Sequence, residues 1–487
     1  MACVATDSLQ ARLRRGDIPC RGVNLGGWLV AEHWMTWDSC PGLPIMGVPD
    51  EIKNQGEFAT MKFLGHEEGD RRFDEHRRTW ITEYDIAEMK RFGLNTVRVP
   101  VGFWIMGFDP TDFPNKQQWQ VFAPHALRYL DELVNHWCVK YDMAVLVDIH
   151  AAKGSQNGRD HSAAVDSGVK YWSQYPENVD NTVYLANFLA SRYRYCPSFL
   201  GLGLLNEPEV PTDPNVLRGY YERAYSEIRA TGNDCVLTVA PLLTEQSPPF
   251  MEDFMRYPKF FNVWHEWHPY FIWGYEGQRR EQVLEAVRCY GNQISSWGGN
   301  WLLIDEWSLG AQGCAFPCED RNGLQQFASA QLEAFSKAHS GWIFWSWRHS
   351  DDGHNRPSGW SMRQLLRDGV MRLHEVSFLE SSSTTSRLRP LIHSSSFKMA
   401  PKTNKTSKKK NNVAGMEELQ KPVLVACDPL EPVMPACAIP KKVITAMVAA
   451  GAEMEDVEGE DCAFCVSTVC IRMRGICMKT GHLHLEK

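Results

Sequence analysis

The feature that most constrains the fold is a repeat in which short β-branched apolar runs alternate with longer amphipathic stretches. Its clearest unit begins with Thr82 and Asp85 at capping-box spacing, continues through a helix that Gly93 can end, and finishes in the apolar run 94–99. We predict eight such strands and one last helix, near residues 21–25, 94–99, 144–150, 200–206, 235–240, 260–268, 301–306 and 342–347 and at 359–371. Eight βα units fit a closed (β/α)8 TIM barrel of the α/β class better than an open sheet.

Aromatic residues divide the chain into two unlike parts. All 18 tryptophans lie between Trp28 and Trp360, and all 15 tyrosines lie between Tyr84 and Tyr290. The remaining C-terminal residues open on a serine- and threonine-rich linker that leads into a lysine-rich run, so we expect a low-order tail there. The predicted division is an N-terminal segment at 1–17, a (β/α)8 catalytic domain at 18–372, and a linker with a disordered Cys- and Lys-containing tail at 373–487.

Charge and hydropathy limit the partners. The formal net charge of −8 argues against nucleic acid as a ligand of the barrel, because phosphate binding favours a basic surface. No apolar run approaches the length of a transmembrane helix, and we expect a monomer. The first eighteen residues contain no apolar segment that could be the core of a signal peptide, so the chain as written carries no secretion signal and a cytoplasmic location stays open.

Cysteine spacing leaves the redox state open. Cys314 and Cys318 could form a loop disulfide or remain thiols. The tail contains a further group that superficially resembles a zinc module, made up of Cys462, Cys465, Cys470, Cys477, His482 and His484. Its gaps do not give a paired knuckle of the usual spacing, so we predict no metal there.

Polar side chains and one tryptophan stand at the ends of six of the eight predicted strands. They are Arg98, His150, Asn206, Glu207, His268, Tyr270, Glu306 and Trp347. Each alone could be a satisfied core residue. In (β/α)8 barrels, however, the chemistry lies at the C-terminal ends of the strands, so we expect these side chains to meet at one mouth.

Glu207 and Glu306 are the candidate catalytic pair. Cleavage of a glycosidic bond requires two carboxyl groups, one to protonate the leaving oxygen and one to attack the anomeric carbon or activate water. Arg98 and the Tyr270 hydroxyl would keep a nucleophile ionised, whereas the acid needs a site that holds its proton near neutral pH. Asn206, beside Glu207, could bond to the sugar 2-hydroxyl.

Seven ordered blocks of sequence resemble glycoside hydrolase family 5 over about residues 18–372. They are Arg21-Gly-Val-Asn-Leu-Gly-Gly-Trp-Leu-Val30, Asn95-Thr-Val-Arg-Val-Pro-Val101, Asp148-Ile-His150 with Gly154-Ser-Gln-Asn-Gly158, Leu205-Asn-Glu-Pro208, His268-Pro-Tyr270, Asp305-Glu-Trp307 and Trp345-Ser-Trp347. Within the family they are similar to the exo-β-1,3-glucanase branch of fungi and oomycetes. The resemblance implies a retaining mechanism with Glu207 as acid/base and Glu306 as nucleophile, no cofactor or metal, and an extracellular or cell-wall location.

The resemblance also implies which residues bind the sugar. The subsite of the cleaved sugar would be shaped by Arg98, His150, Asn206, His268, Tyr270 and Trp347, with Trp347 as its floor. Glu32 and Asp160 match positions that would hold hydroxyls of a terminal glucose. Arg159 departs from the pattern, because the fungal exo-enzymes have an aromatic residue there, and Trp273 stands where the second half of that aromatic clamp would be.

The function predicted from these residues is a glucan exo-1,3-β-glucosidase that acts on β-1,3-glucan in cell-wall polysaccharide metabolism. Three other functions stay open: an endo-β-glucanase, a β-glucosidase of small or steryl glucosides, and a catalytically silent carbohydrate-binding barrel. A metal-dependent hydrolase using His265 and His268 is disfavoured, because its metal would need further ligands from other strands and the segment 22–26 offers no histidine.

Overall fold

The computed structural model describes residues 8–36, 44–111, 117–310, 315–317, 319–350 and 358–373 and the short segments 453–456, 469–473, 476–479 and 482–485. Eight strands lie in the first part of the chain: β1 (Cys20–Asn24), β2 (Thr96–Gly102), β3 (Ala144–Ala151), β4 (Phe199–Gly203), β5 (Val236–Val239), β6 (Val263–Trp267), β7 (Leu302–Ile304) and β8 (Gly341–Phe344). Each pairs in parallel with the next, and β8 pairs with β1. The predicted closed (β/α)8 barrel is confirmed.

Helices surround the barrel and connect its strands. They are α1 (Leu9–Arg14), α2 (Asp50–Lys53), α3 (Glu57–Trp80), α4 (Glu83–Arg91), α5 (Ala126–Glu132), α6 (Cys138–Lys140), α7 (Pro176–Tyr193), α8 (Pro214–Ala230), α9 (Arg280–Ser296), α10 (Arg321–Phe335) and α11 (Met362–Arg367). The capping box of Thr82 and Asp85 forms at the start of α4 as predicted, and Gly93 beyond its end has a φ of 84°.

Two connections differ from the prediction. Between β1 and β2 the chain inserts α2 and the 24-residue α3, which periodicity did not single out. The last helix, α11, is shorter than the predicted 359–371. No helix among the described residues is long and apolar enough to cross a bilayer.

The interior of the barrel is layered, and β3 displays the layers along one strand. Alternate residues of a strand share a face, so Ala144, Leu146, Asp148 and His150 follow one another toward the mouth. The first two belong to an apolar cluster with one residue from most strands, which Leu13 of α1 joins at the N-terminal end of the barrel. Asp148 contacts the guanidinium of Arg98, and His150 lies at the end that bears the other candidate site residues.

A second unit spans Asp428–Lys487. Its strands β9 (Glu453–Asp456), β10 (Val469–Met473), β11 (Ile476–Lys479) and β12 (His482–Leu485) form an antiparallel sheet in the order β12-β11-β10-β9. Cys462 and Cys465 lie outside the described residues, as do Cys314 and Cys318, so the statements about zinc and the loop disulfide stay predictions. Among the described residues, Cys20, Cys138, Cys196 and Cys235 are free thiols.

Candidate active site

A buried guanidinium organises the base of the mouth. Arg98 of β2 is fully buried and donates to the Glu306 carboxylate at 2.7 Å and to the side-chain oxygen of Asn206 at 2.8 Å. It also forms ion pairs with Asp148 at 3.0 Å and Asp305 at 3.3 Å. Burial alone would lower the pKa of Arg98, but these carboxylates raise it well above its ordinary value, so the cation is permanent. Arg98 therefore fixes side chains from three other strands or strand ends.

Glu306 follows β7 and is held from two sides. Arg98 binds one carboxylate oxygen, and the Tyr270 hydroxyl donates to the other at 2.9 Å. Burial raises the pKa of Glu306, and Glu207 and Asp305 add to the rise, while His268 and Arg98 oppose it. The orientation of the carboxylate is thus set by two donors that do not depend on a bound sugar.

Glu207 follows β4 with a backbone φ of 43°, in the left-handed region that non-glycine residues seldom adopt. Asn157 donates to its backbone carbonyl at 3.2 Å. The side chain accepts a hydrogen bond from His268 Nδ1 at 2.9 Å. One oxygen of the Glu207 carboxylate lies within 4.8 Å of one oxygen of Glu306, and a ring nitrogen of His268 belongs to the same group.

His268 connects the two carboxylates to the buried layer beneath them. Its Nδ1 lies 2.9 Å from Glu207 and 3.5 Å from Glu306, and its Nε2 lies 3.1 Å from Asp305. Burial would lower the pKa of His268, but these carboxylates raise it well above its ordinary value. Burial likewise works to raise the pKa of Glu207, but the hydrogen bond and charge of His268 hold it well below its usual range.

The resting pKa order of the pair differs from the expectation. We expected Arg98 and Tyr270 to keep Glu306 the more acidic group, but the pKa of Glu306 is raised and that of Glu207 is lowered. The reason is His268, whose hydrogen bond goes to Glu207 and not to Glu306. Because these groups are so close, they titrate together as one cluster.

His150 and Asn206 complete the inner wall. His150 is fixed by a 2.8 Å contact between its Nδ1 and Asp148, and burial lowers its pKa well below the ordinary value, so the ring is neutral. The amide nitrogen of Asn206 is buried and has no hydrogen-bond partner among the described residues. An unfilled donor beside Glu207 suits a sugar hydroxyl.

A second acidic group lies to one side of the pair. Glu32 is buried, and burial together with the nearby Asp160 raises its pKa well above the ordinary value, so this side chain is a neutral acid. Its Oε2 accepts a hydrogen bond from Trp34 at 3.0 Å, whereas Oε1 has no partner among the described residues. Asp160 contacts His33 Nδ1 at 2.9 Å, and this bond outweighs burial and lowers its pKa. Glu32 and Asp160 are thus close enough for their charges to interact. Their assignment to the hydroxyls of a terminal glucose stays a prediction.

The prediction for Trp347 is wrong. Trp347 is fully buried and donates its indole N–H to Asp85 of α4 at 2.9 Å, so it belongs to the packing between barrel and helices. The residue at the site is Trp345, whose ring stacks on His150 with a centroid distance of 5.4 Å and an interplanar angle of 7°. β8 ends at Phe344, so counting the strand on to 347 placed the floor two residues too late.

Aromatic rings form the rim of the mouth. Trp273 is 58% exposed and lies edge-on to Tyr270 at 5.5 Å, and its role as a rim platform stays a prediction. Trp360 lies 6.4 Å from Trp273 and 4.9 Å from Trp34, so the three indoles form a continuous aromatic wall. Sequence reasoning missed Trp360 and Trp34. The exposed indole face of Trp273 offers the kind of plane on which sugar rings stack.

Charged residues occupy the rim opposite. Arg159, the departure from the family pattern, is half exposed and pairs with Glu209, which also accepts from Lys170. His161, two residues further on, lies 3.8 Å from Glu207 and was also missed by the sequence reasoning. Arg159 therefore forms a salt bridge where the fungal branch has an aromatic ring.

Metal binding was not expected, and the carboxylates of the mouth already have cationic partners. Glu207, His268 and Glu306 are close enough together to hold an ion. Arg98 and the protonated His268 already offset part of the negative charge of these carboxylates. The prediction that no metal or cofactor is needed stays a prediction.

A (β/α)8 barrel whose mouth brings together two glutamates, an arginine, histidines and an aromatic rim defines a glycoside hydrolase. The family model described as Cellulase (glycosyl hydrolase family 5) matches residues 60–351, which is more than half of the chain. This protein belongs to that family.

Curated relatives agree with this assignment, and a solved structure shares the fold. The chain is 29% identical to "Glucan 1,3-beta-glucosidase" of Yarrowia lipolytica over 73% of this chain and 89% of the relative. It is 30% identical to "Probable glucan 1,3-beta-glucosidase A" of Emericella nidulans over 72% of this chain and 89% of that relative. Among solved structures, a rutinosidase from Aspergillus niger is 18% identical with a TM-score of 0.60, covering 73% of this chain and 99% of that one, and so shares the fold.

Proposed function

We propose that this family 5 glycoside hydrolase is a retaining glucan exo-1,3-β-glucosidase that acts on β-1,3-glucan in cell-wall metabolism. The observation that carries the mechanism is the spacing of its two carboxylates. One oxygen of Glu207 and one of Glu306 lie within 4.8 Å of each other. Retaining enzymes have carboxyl groups about 5–5.5 Å apart, whereas inverting enzymes need about 6.5–9.5 Å to admit a water. The β-1,3 linkage is proposed from the names of the curated relatives.

Glu306 is proposed as the nucleophile. Two hydrogen bonds, from Arg98 and Tyr270, orient its carboxylate, and the more solvent-accessible Glu207 faces the departing sugar. Attack by Glu306 on the anomeric carbon forms a glycosyl ester and breaks the glycosidic bond. Water then attacks the anomeric carbon and releases Glu306, with Glu207 accepting the proton of that water.

Glu207 obtains its proton from the cluster. In the empty enzyme one proton is held between His268 and Glu207, mostly on the imidazole, because the pKa of His268 is raised and that of Glu207 is lowered. Transfer along the 2.9 Å hydrogen bond gives neutral His268 and a protonated Glu207 that can act as the acid. Formation of the glycosyl ester removes the charge of Glu306, which lowers the pKa of Glu207 and suits it to act as the base toward water.

Exo action is proposed from the acidic and aromatic residues around Glu32. Glu32 and Asp160 lie together, and Trp34 and Trp360 stand beside them. A neutral carboxylic acid with an unfilled oxygen next to an ionised carboxylate suits the hydroxyls of a terminal sugar. The polysaccharide would then extend outward past Trp273.

The test is product analysis on laminarin with wild type, Glu306→Gln and a matched control, Glu83→Gln, which alters a surface carboxylate paired with Lys140. We expect glucose as the first product from wild type and from the control. Glu306→Gln should lose at least about 10⁴-fold in kcat. A ladder of oligomers from wild type would indicate an endo-β-glucanase instead.

Two further outcomes would each point to a different function. Hydrolysis of cellobiose or steryl glucoside without action on laminarin would indicate a β-glucosidase of small glucosides. Negligible activity of wild type on all these substrates, with laminarin still bound, would indicate a carbohydrate-binding barrel. An extracellular or cell-wall location and a monomeric state accompany the proposal as expectations from the resemblance.

A further inference from the structure

His161, which is outside the predicted site, lies next to the carboxylate of Glu207, the proposed acid/base. His161 Nε2 is 3.8 Å from Oε2 of Glu207, and His268 Nδ1 is 2.9 Å from the other oxygen, Oε1. The two oxygens of Glu207 therefore face different histidines. Oε1 shares its proton with His268, so Oε2 is the oxygen through which a second charged neighbour can act on Glu207.

The segment that carries His161 is fixed by local contacts. The hydroxyls of Ser155 and Ser162 are 2.5 Å apart, and the Ser162 hydroxyl and backbone N–H both bond to the Arg159 carbonyl. Gly56 packs so closely against the Asp160 carbonyl that a side chain there would clash. The His161 ring is thus supplied by an ordered turn that follows β3.

The His161 ring makes few other contacts. Its Nδ1 is buried without a hydrogen-bond partner among the described residues, and its side chain is 14% exposed. The ring lies 5.1 Å from the neutral His150 ring. The charged and titratable groups that face the His161–Glu207 contact are Glu207, His150, Asp160, Arg159, His268 and Glu306.

We propose that His161 is a positioning residue that governs how readily Glu207 holds its catalytic proton. A neutral His161 leaves Glu207 able to accept the proton from His268, whereas a cationic His161 stabilises the ionised carboxylate and withdraws it from acid catalysis. The contribution of His161 to lowering the pKa of Glu207 agrees with this direction. The inference rests on the proposed function of Glu207, and it adds a residue that acts on the acid through charge.

The experiment compares pH profiles of kcat/KM for wild type, His161→Gln and His161→Lys on two glucosides. One is an aryl β-glucoside with a good leaving group, which needs no proton, and the other is laminaribiose, which does. On laminaribiose the midpoint of the alkaline limb should rise in the order Lys, wild type, Gln, with about one pH unit or more between the two variants. On the aryl glucoside all three should agree within about two-fold.

A matched control is His66→Gln, which removes an exposed histidine from a carboxylate pair with Asp70 on α3 and should leave both profiles unchanged. Equal losses on both glucosides in the His161 variants, or alkaline midpoints that coincide, would overturn the inference. Wild type inactive on both glucosides would instead refute the proposed function, so the two failures are distinguishable.

The comparison does not depend on the folding of His161→Lys. If that variant does not fold, wild type and His161→Gln should still differ in the alkaline midpoint on laminaribiose and agree on the aryl glucoside. Coinciding midpoints of these two proteins would contradict the proposal.

Discussion

The two ends of the barrel are built from the same eight strands and yet differ in almost every physical respect. At the N-terminal end, Leu146, Trp264 and Leu303 pack in an apolar cluster with Leu13 of α1. Nearer the mouth, Arg98, Asp148 and Asp305 are equally buried but charged. A step of two residues along β3, from Leu146 to Asp148, leads from the first region to the second. The first end supplies stability, and the second gives up part of that stability to preorganise a site.

Arg98→Met should have the largest effect, because it should lower both stability and activity. It leaves Asp148, Asp305 and Glu306 without their shared cation, so the free energy of unfolding should fall by about 3–5 kcal/mol. Activity of the folded fraction should fall by about 10²–10³-fold, because Glu306 loses an orienting donor. Urea unfolding and kcat measured in parallel check both. A fall in stability with unchanged kcat would show that the mouth is merely structural.

Leu146→Ala is the matched change at the other end of the same interior face. It removes fully buried apolar volume, so the free energy of unfolding should fall by about 2–5 kcal/mol. The kcat of the folded protein should stay within about two-fold of wild type, since Leu146 touches none of the reacting groups. A large loss of kcat in protein shown to be folded would break the distinction between the two ends.

The pKa values of the buried histidines also differ between regions of the molecule. Burial lowers the pKa of His76 and of His265 to about 3, whereas carboxylates raise the pKa of His268 at the mouth. A histidine kept neutral in the folded state contributes stability that is present above pH 6.5 and lost toward its folded pKa. His268 contributes stability that is present below pH 6.5 and lost as the pH rises through its folded pKa.

His265→Phe tests the acid side of this difference. As the pH falls from 6 to 4, each neutral buried histidine should lower the free energy of unfolding by about 1.4 kcal/mol per pH unit. The pH slope of the variant should be smaller than that of wild type by the contribution of one histidine. Chemical denaturation at a series of pH values measures the slope. The same slope in variant and wild type would mean that His265 is protonated in the folded protein.

Trp347→Phe should have the smallest effect. It deletes the hydrogen bond to Asp85, so the free energy of unfolding should fall by about 1 kcal/mol while kcat changes little. The same substitution at Trp345, which stacks on His150, should reduce kcat instead. Kinetics of the two variants side by side check this, and equal effects on kcat would contradict the exchange of roles between the two tryptophans.

The fold could be predicted because its signal is local and repeated. Buried strands of a parallel barrel are apolar runs, and the capping box at Thr82 and the turn at Gly93 mark a helix without reference to the rest of the chain. The insertion of α3 was not anticipated, because its apolar pattern serves contacts outside the repeating unit. Its buried ion pair between Arg77 and Glu57 gives no periodic signal.

Most residues of the candidate site could be predicted from the sequence, whereas their contacts and pKa order could not. Residues next to strand ends, such as Glu207 and Glu306, could be placed by topology alone. Trp345 and Trp347 were confused because counting along a strand fails once the strand has ended at Phe344. His161 was missed because a loop residue has no register, and the pKa order of the pair depends on which carboxylate His268 contacts.

The proposed mechanism depends above all on Glu207 and Glu306 acting as a retaining pair. Proton NMR of the first sugar released from a β-glucoside, recorded before the anomers equilibrate, measures this directly. We expect the β-anomer to appear first and to convert slowly to the equilibrium mixture. Initial release of the α-anomer would contradict the mechanism, because it would require a single displacement by water between the two carboxylates.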